Sequence, residues 1–133
     1  MAASKKGAPE LLAALGGAAS GLLFPSESDY PLTPIEWRGP AGEELSPEVL
    51  LRSRGLPPDT RIEGVGVDEF FEPLTGQDGG DDAAKFRRLT DLMKRELTDV
   101  RAYRVGAVDI DVFILGRHPS GAWIGLKTKV IET

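Results

Sequence analysis

The sequence predicts an α+β fold, helices packed on a sheet, and three stretches carry that prediction. Residues 83–98 place Phe86, Leu89, Met93 and Leu97 on one apolar stripe at helical spacing. Residues 108–114 alternate instead, with Val108, Ile110, Val112 and Ile114 set between Asp109, Asp111 and Phe113. Beyond the turn residues RHPSG, the segment AWIGLKTKVI is again an extended candidate. One strong helix beside two strands needs a common core, which a helix-covered sheet supplies more economically than a helical bundle.

The remaining elements follow in chain order. Residues 1–9, with Lys5, Lys6, Gly7 and Pro9 and almost no large apolar side chain, read as a loose arm, and residues 10–133 as a single domain. A first helix spans 10–19: Pro9 suits its opening, Leu11, Leu12, Leu15 and Ala19 recur at helical spacing, and Gly16 and Gly17 weaken its far end. Leu22 and Leu23 are core anchors ahead of FPSESDYP, residues 24–31, where two prolines, two serines and two acids rule out a helix interior. Residues 32–37 read as an extended segment with Ile35 and Trp37 on one face; Pro31 and Pro34 argue for a sheet edge or an irregular start.

SPEVLLRSRG, residues 46–55, carries a helix start in Ser46 and Pro47 and a stop in Gly55. Ile62, Val65 and Val67 suggest a strand, after which Asp68 caps a turn that holds Phe70 and Phe71 in the core. Residues 75–82 are a polar, glycine-rich loop containing Asp78, Asp81 and Asp82, and either of the last two can cap the helix at 83. Residues 101–105 add a strand before Gly106. The final alternation runs almost to Thr133, so the last residues project from a fixed strand.

Composition excludes several chemistries. With no cysteine and one histidine, His118, thiolate nucleophiles, disulfides and multi-histidine metal sites are absent. A formal charge of -5 opposes non-specific binding to nucleic acid and favours basic partner surfaces. No apolar run approaches a membrane span and no signal-peptide pattern opens the chain, so the cytoplasm is the expected compartment. GVGVDE and GQDGGD lack the lysine or the strand-to-helix setting of a phosphate loop, and no cofactor is expected.

Among residue pairs, Asp109 and Asp111 lie on one strand face, a spacing that serves divalent-ion phosphoryl transfer and equally a solvated face. Lys127 and Lys129 read as a cationic strand face or as ion partners of those acids. Glu27 and Asp29 form an acid–base pair only if burial or apposition splits their proton affinities. His118 sits in a turn, and nothing in the sequence assigns Ser120, Ser26 or Ser28 as its nucleophile. An acidic, cofactor-poor chain whose notable features are loops and a chain end suits a protein that binds another protein.

GLLFPSESDYP (residues 21–31) and KTKVIET (residues 127–133), with AKFRRLTDLMKREL and YRVGAVDIDVFILG in order between them, resemble the family of the cyanobacterial nuclease A inhibitor. The resemblance covers residues 10–133. It implies a three-layer α-β-α sandwich around a largely antiparallel or mixed sheet. It also implies inhibition of a sugar-non-specific, Mg-dependent DNA/RNA endonuclease by filling its active-site cleft, from a chain that is monomeric before the complex forms and touches no nucleic acid directly. On this resemblance Glu27 matches the glutamate that reaches basic or metal-bound groups of the nuclease, and Thr133 the terminal threonine whose oxygen approaches the enzyme's Mg. The family's aspartate-tryptophan pair matches Asp78-Gly79, so the acid is kept and the aromatic is missing. Glu132 adds charge beside the terminus. The alternatives are a phosphoryl-transfer enzyme using Asp109 and Asp111, and a binding protein of the same fold with a partner that is not a nuclease.

Overall fold

Alternation along residues 109–117 generates the centre of the molecule. Ile110, Val112 and Ile114 point to one side of this strand and Phe113 and Leu115 to the other, and all five are buried. A strand with two apolar faces needs a strand on each edge and a covering layer on each face. The computed structural model, which describes residues 7–24, 30–37, 46–75, 82–107 and 109–131, supplies both.

The elements are α1 (Ala8–Ala19), β1 (Leu23–Phe24), β2 (Tyr30–Pro31), β3 (Thr33–Trp37), α2 (Pro47–Ser53), β4 (Ile62–Gly66), α3 (Val67–Thr75), α4 (Ala83–Glu96), β5 (Thr98–Val105), β6 (Asp109–Arg117) and β7 (Trp123–Ile131). Five of the strands form one sheet in the order β3-β7-β6-β5-β4, and each neighbouring pair is antiparallel. The β6–β7 ladder runs from Asp109↔Ile131 to Arg117↔Trp123. As Pro31 and Pro34 require, β3 is an edge strand, and it brings Ile35 and Trp37 to the same side. β1 and β2 form a separate antiparallel pair, Phe24 opposite Tyr30.

Two clusters cover the two faces. On the first, Leu11 and Leu15 of α1, Phe70 and Phe71 of α3, and Phe86, Leu89 and Met93 of α4 pack on Val112, Ile114, Ile124 and Leu126. Phe71 meets Phe70 edge-on at 5.0 Å and Phe86 at 6.1 Å between ring centroids. On the second face, among the described residues, one short helix, α2, lays Leu50 and Leu51 over Tyr103, Phe113, Leu115 and Trp123. Full burial of each large apolar side chain stabilises by about 1.5–3 kcal/mol, so the ten or so at the sheet centre set the architecture. The result is the expected α-β-α sandwich, with a fully antiparallel main sheet among the described residues.

Local signals explain most boundaries. Ser46 caps α2 by accepting from the Val49 amide at 3.2 Å, and Gly55 ends the segment at φ +70. α1 passes close to β3 at Gly16, where a Cβ would stand 3.4 Å from Pro34 Cγ, in ordinary van der Waals contact. Three expectations are corrected. Val67 and Asp68 do not end a strand in a turn but open α3: Val67, Phe70 and Phe71 share one face, and Asp68 and Glu69 suit a helix N-terminus. Asp82 makes no side-chain cap, since its backbone is already helical (φ -89, ψ -3), and its carboxylate lies 3.8 Å from Lys85 instead; Asp81 is outside the described residues. α4 stops at Glu96 because Leu97 turns extended and leads straight into β5, which starts at Thr98 and bulges before Arg101, with Asp99 at φ 53.

Gly125 is the position where the sheet depends on glycine. It sits between Leu115 on β6 and Ile35 on β3, and a Cβ there would collide with the Ile114 carbonyl. Gly125→Ala is expected to lower unfolding free energy by about 2 kcal/mol or more, as overpacking of a rigid strand pair does, read from the urea midpoint. Burial raises the pKa of the Tyr103 phenol, with Arg101 opposing and Asp99 adding to the effect. The protonated form is therefore favoured by folding, and its contribution is present below the ordinary phenol value of 10.0 and lost as pH rises through the higher folded value. Thermal midpoints should hold from pH 7 to 9 and fall above about pH 10, and Tyr103→Phe should fall less steeply over that range.

Candidate functional site

The candidate residues Glu27, Asp78, Glu132 and Thr133 lie outside the described residues, as do Asp29, Ser26 and Ser28. What the structure fixes is the scaffold on either side of them. Glu27 falls between Phe24 and Tyr30, which face each other across the β1–β2 pair. Glu132 and Thr133 follow Ile131, the last β7 residue, which is paired with Asp109. Asp78 falls between Thr75 of α3 and Asp82.

The flanks of Glu27 and of Glu132 and Thr133 share one end of the sheet. Lys94 near the end of α4 donates to both Asp68 carboxylate oxygens at 2.9 and 3.1 Å, whereas Arg87, nearer its start, donates to the Thr75 carbonyl at 2.6 Å. α3 and α4 therefore run antiparallel. α4 enters β5 directly through Leu97, so its last turn lies at the end where β5 and β7 begin and β6 finishes. Tyr30 lies toward the opposite end, where β7 finishes: its carbonyl accepts from the Thr128 hydroxyl at 3.5 Å, and β3 joins β7 at Thr33↔Lys127. Tyr30, Thr33, Asp111, Lys127, Thr128 and Lys129 line an open groove there.

Charge on this end is partly internally paired. Lys129 Nζ lies 3.1 Å from Asp109 Oδ1 and stands opposite Asp111 in the ladder. Its pKa is raised, first by the hydrogen bond and charge of Asp109 and, after a small opposing effect of desolvation, by Asp111 and Tyr30. The two aspartates thus share a lysine, the opposite of the arrangement that collects a cation between carboxylates. Among the described residues no group of three or more His, Asp or Glu is placed to hold a metal ion. Among the described residues Lys127 makes no such pair; its ammonium lies 5.7 Å from the Phe113 ring centroid, and Arg54 lies 5.3 Å from the same ring.

His118 is buried and structural. Its Nδ1 accepts from the Ser120 amide at 3.1 Å and lies 2.8 Å from Ser120 Oγ, and the His118 amide donates to the Ala122 carbonyl at 2.9 Å. These bonds close the β6–β7 turn at the far end of the sheet, away from Ile131. Sequence reasoning did not single out Thr128. Its signal is a hydroxyl residue at an inward position of an alternating strand, between Leu126 and Val130.

Among the described residues no helix is long and apolar enough to cross a membrane. No curated protein matches the chain. A model of the family described as Nuclease A inhibitor-like protein (NuiA) matches residues 9–133, which covers every strand of the sheet and all four helices but the first residue of α1. The helix-covered antiparallel sheet, with acids tied to a lysine and a histidine tied into a turn, is thereby placed among proteins named for restraining a nuclease and not for catalysis: the chain belongs to the nuclease A inhibitor-like family.

Proposed function

We propose that this protein binds a sugar-non-specific, Mg-dependent DNA/RNA endonuclease, one inhibitor to one enzyme, and blocks its active-site cleft. Family membership carries nuclease inhibition in general. The finer reading is supported by one observation: Tyr30, on the flank of the Glu27 segment, and Ile131, on the flank of Glu132 and Thr133, both belong to the end of the sheet where β7 finishes. A cleft that binds phosphates is electropositive, and carboxylates presented from a firm edge replace part of the phosphate charge.

In this reading Glu27 meets basic or metal-bound groups of the nuclease, and Asp78 and Glu132 add attraction at the rim. Thr133, the last residue of the sequence, brings oxygen toward the enzyme's Mg, a cation that accepts oxygen ligands. The Mg belongs to the nuclease. The inhibitor acts in the cytoplasm, is a monomer before binding, and makes no direct contact with nucleic acid. Gly79 stands where the family has tryptophan; a buried tryptophan is a frequent centre of binding energy, so this chain relies more on charge. The same substitution favours a second reading, a binding protein for a partner that is not a nuclease, and capture of such a partner with no nuclease in the complex would support it.

The test is titration of the untagged chain into the candidate nuclease of its own source, with Mg present, following substrate cleavage and complex formation together. Removing Thr133, or extending the chain beyond it, should weaken inhibition by much more than Asp91→Ala, a change on the exposed face of α4. Glu27→Ala should cost about 2–5 kcal/mol of binding if its carboxylate is paired and desolvated in the complex. Equal inhibition by the intact and the shortened chain sinks the cleft-plug mechanism.

A further inference from the structure

The second face of the sheet holds a hollow that the packing of α2 leaves open. Ile35 and Trp37 of β3, Leu50 of α2, and Phe113 and Leu115 of β6 wall a cavity of about 160 Å³, with Arg54 and Lys127 also in its lining. Space remains there because Gly125, which stands between Ile35 and Leu115 in the ladder, brings no side chain to this face. A cavity of about 150 Å³ is enough to take a benzene ring. Glu36 borders the hollow too, but alternation along β3 turns its side chain away from the face that Ile35 and Trp37 share.

Two cations meet at this hollow. Arg54 caps the end of α2, and its guanidinium carbon lies 5.3 Å from the Phe113 ring centroid; Lys127 Nζ lies 5.7 Å from the same centroid. Each has a local reason for its place, since a cation suits a helix C-terminus and a lysine stem covers apolar surface. Neither reason calls for both charges at one ring, where they repel each other. Among the described residues neither forms a salt bridge, whereas Lys85, Lys94, Arg95, Arg117 and Lys129 all do. A concave apolar site with a few converging polar groups is the usual form of a small-ligand pocket, and here the converging groups are both positive.

The geometry points to a binding site for a small aromatic carboxylate, with its ring in the hollow against Phe113 and Trp37 and its carboxylate between Arg54 and Lys127. The planar guanidinium matches the two oxygens of a carboxylate, and the ammonium adds a point charge. An anion there also removes the repulsion between the two cations. The site involves none of the residues assigned to nuclease binding, and its test needs no nuclease.

The chain has two tryptophans, and both Trp37 and Trp123 belong to the cluster around this hollow, so intrinsic fluorescence reports on it without a label. Titration of the full chain with benzoate at pH 7 should give a saturable change and shift the Gly125 amide resonance. Acetate, which lacks the ring, and benzamide, which lacks the charge, should bind at least about tenfold more weakly. Arg54→Gln should weaken benzoate about tenfold, the size of a charge-assisted hydrogen bond, and Lys127→Gln about threefold. Arg88→Gln, on the exposed side of α4 over the other face of the sheet, should bind like the native chain. An absent or unsaturating response to benzoate, benzamide binding as tightly as benzoate, or equal losses in Arg88→Gln and Arg54→Gln would each overturn the inference.

Discussion

Burial of β6 on both faces is the constraint from which the other elements follow. Its backbone is satisfied by β5 on one edge and β7 on the other, and its side chains leave Val112 and Ile114 on one face and Phe113 and Leu115 on the other with nowhere to go but under a helical layer. Close approach at the β6–β7 turn end depends on glycine. A Cβ on Gly116 would meet Val100 Cγ2 at 2.7 Å and Leu97 Cβ at 2.8 Å, so Gly116 allows the α4-to-β5 corner to sit against the end of β6. That end is closely packed, and the opposite end, where β7 finishes, carries Asp109, Asp111, Lys127 and Lys129.

The two layers are unequal, and the inequality explains those charges. Three helices cover the first face, whereas α2 is seven residues long and covers only the middle of the second. Asp109, Asp111, Lys127 and Lys129 project on the second face beside or beyond its reach, where apolar residues would be left in water. Exposed ion pairs such as Asp109–Lys129 add little stability. Their use is in specification: a slip of one residue between β6 and β7 would turn Lys129 into the helix-covered core and Val130 out of it, an error too costly to compete with the native register.

Where side-chain period and local chemistry agree, the sequence is readable. The stripe on α4, the alternation of β6, the Ser46 cap and the edge position of β3 are all stated by residues close to one another. α3 is less legible because its two buried phenylalanines follow a strand without a loop, and only the first-face core distinguishes a helix there from a turn. The start of β5 is masked by the bulge at Asp99, whose left-handed backbone breaks the alternation. The candidate site follows a different logic. Glu27, Asp78, Glu132 and Thr133 are singled out by family resemblance, since no local pattern sets one loop acid apart from another. Thr128 escapes even that, because the meaning of its hydroxyl lies in a contact 98 positions distant.

The sheet end also suits the binding mode proposed for it. In the proposed mode the contact residues Glu132 and Thr133 follow β7, a nine-residue strand paired along its whole length with β6. Binding through such an element gives up less conformational freedom than binding through a free tail. In the proposed binding mode Gly79 stands where the resemblance implies a tryptophan, and the balance then shifts toward charge and fixed geometry. Charge at an exposed rim acts mainly on encounter and weakens with salt, whereas fixed geometry acts on the lifetime of the complex and does not. On the proposed reading, the inhibitor holds its enzyme through the scaffold under its contact residues as much as through those residues themselves.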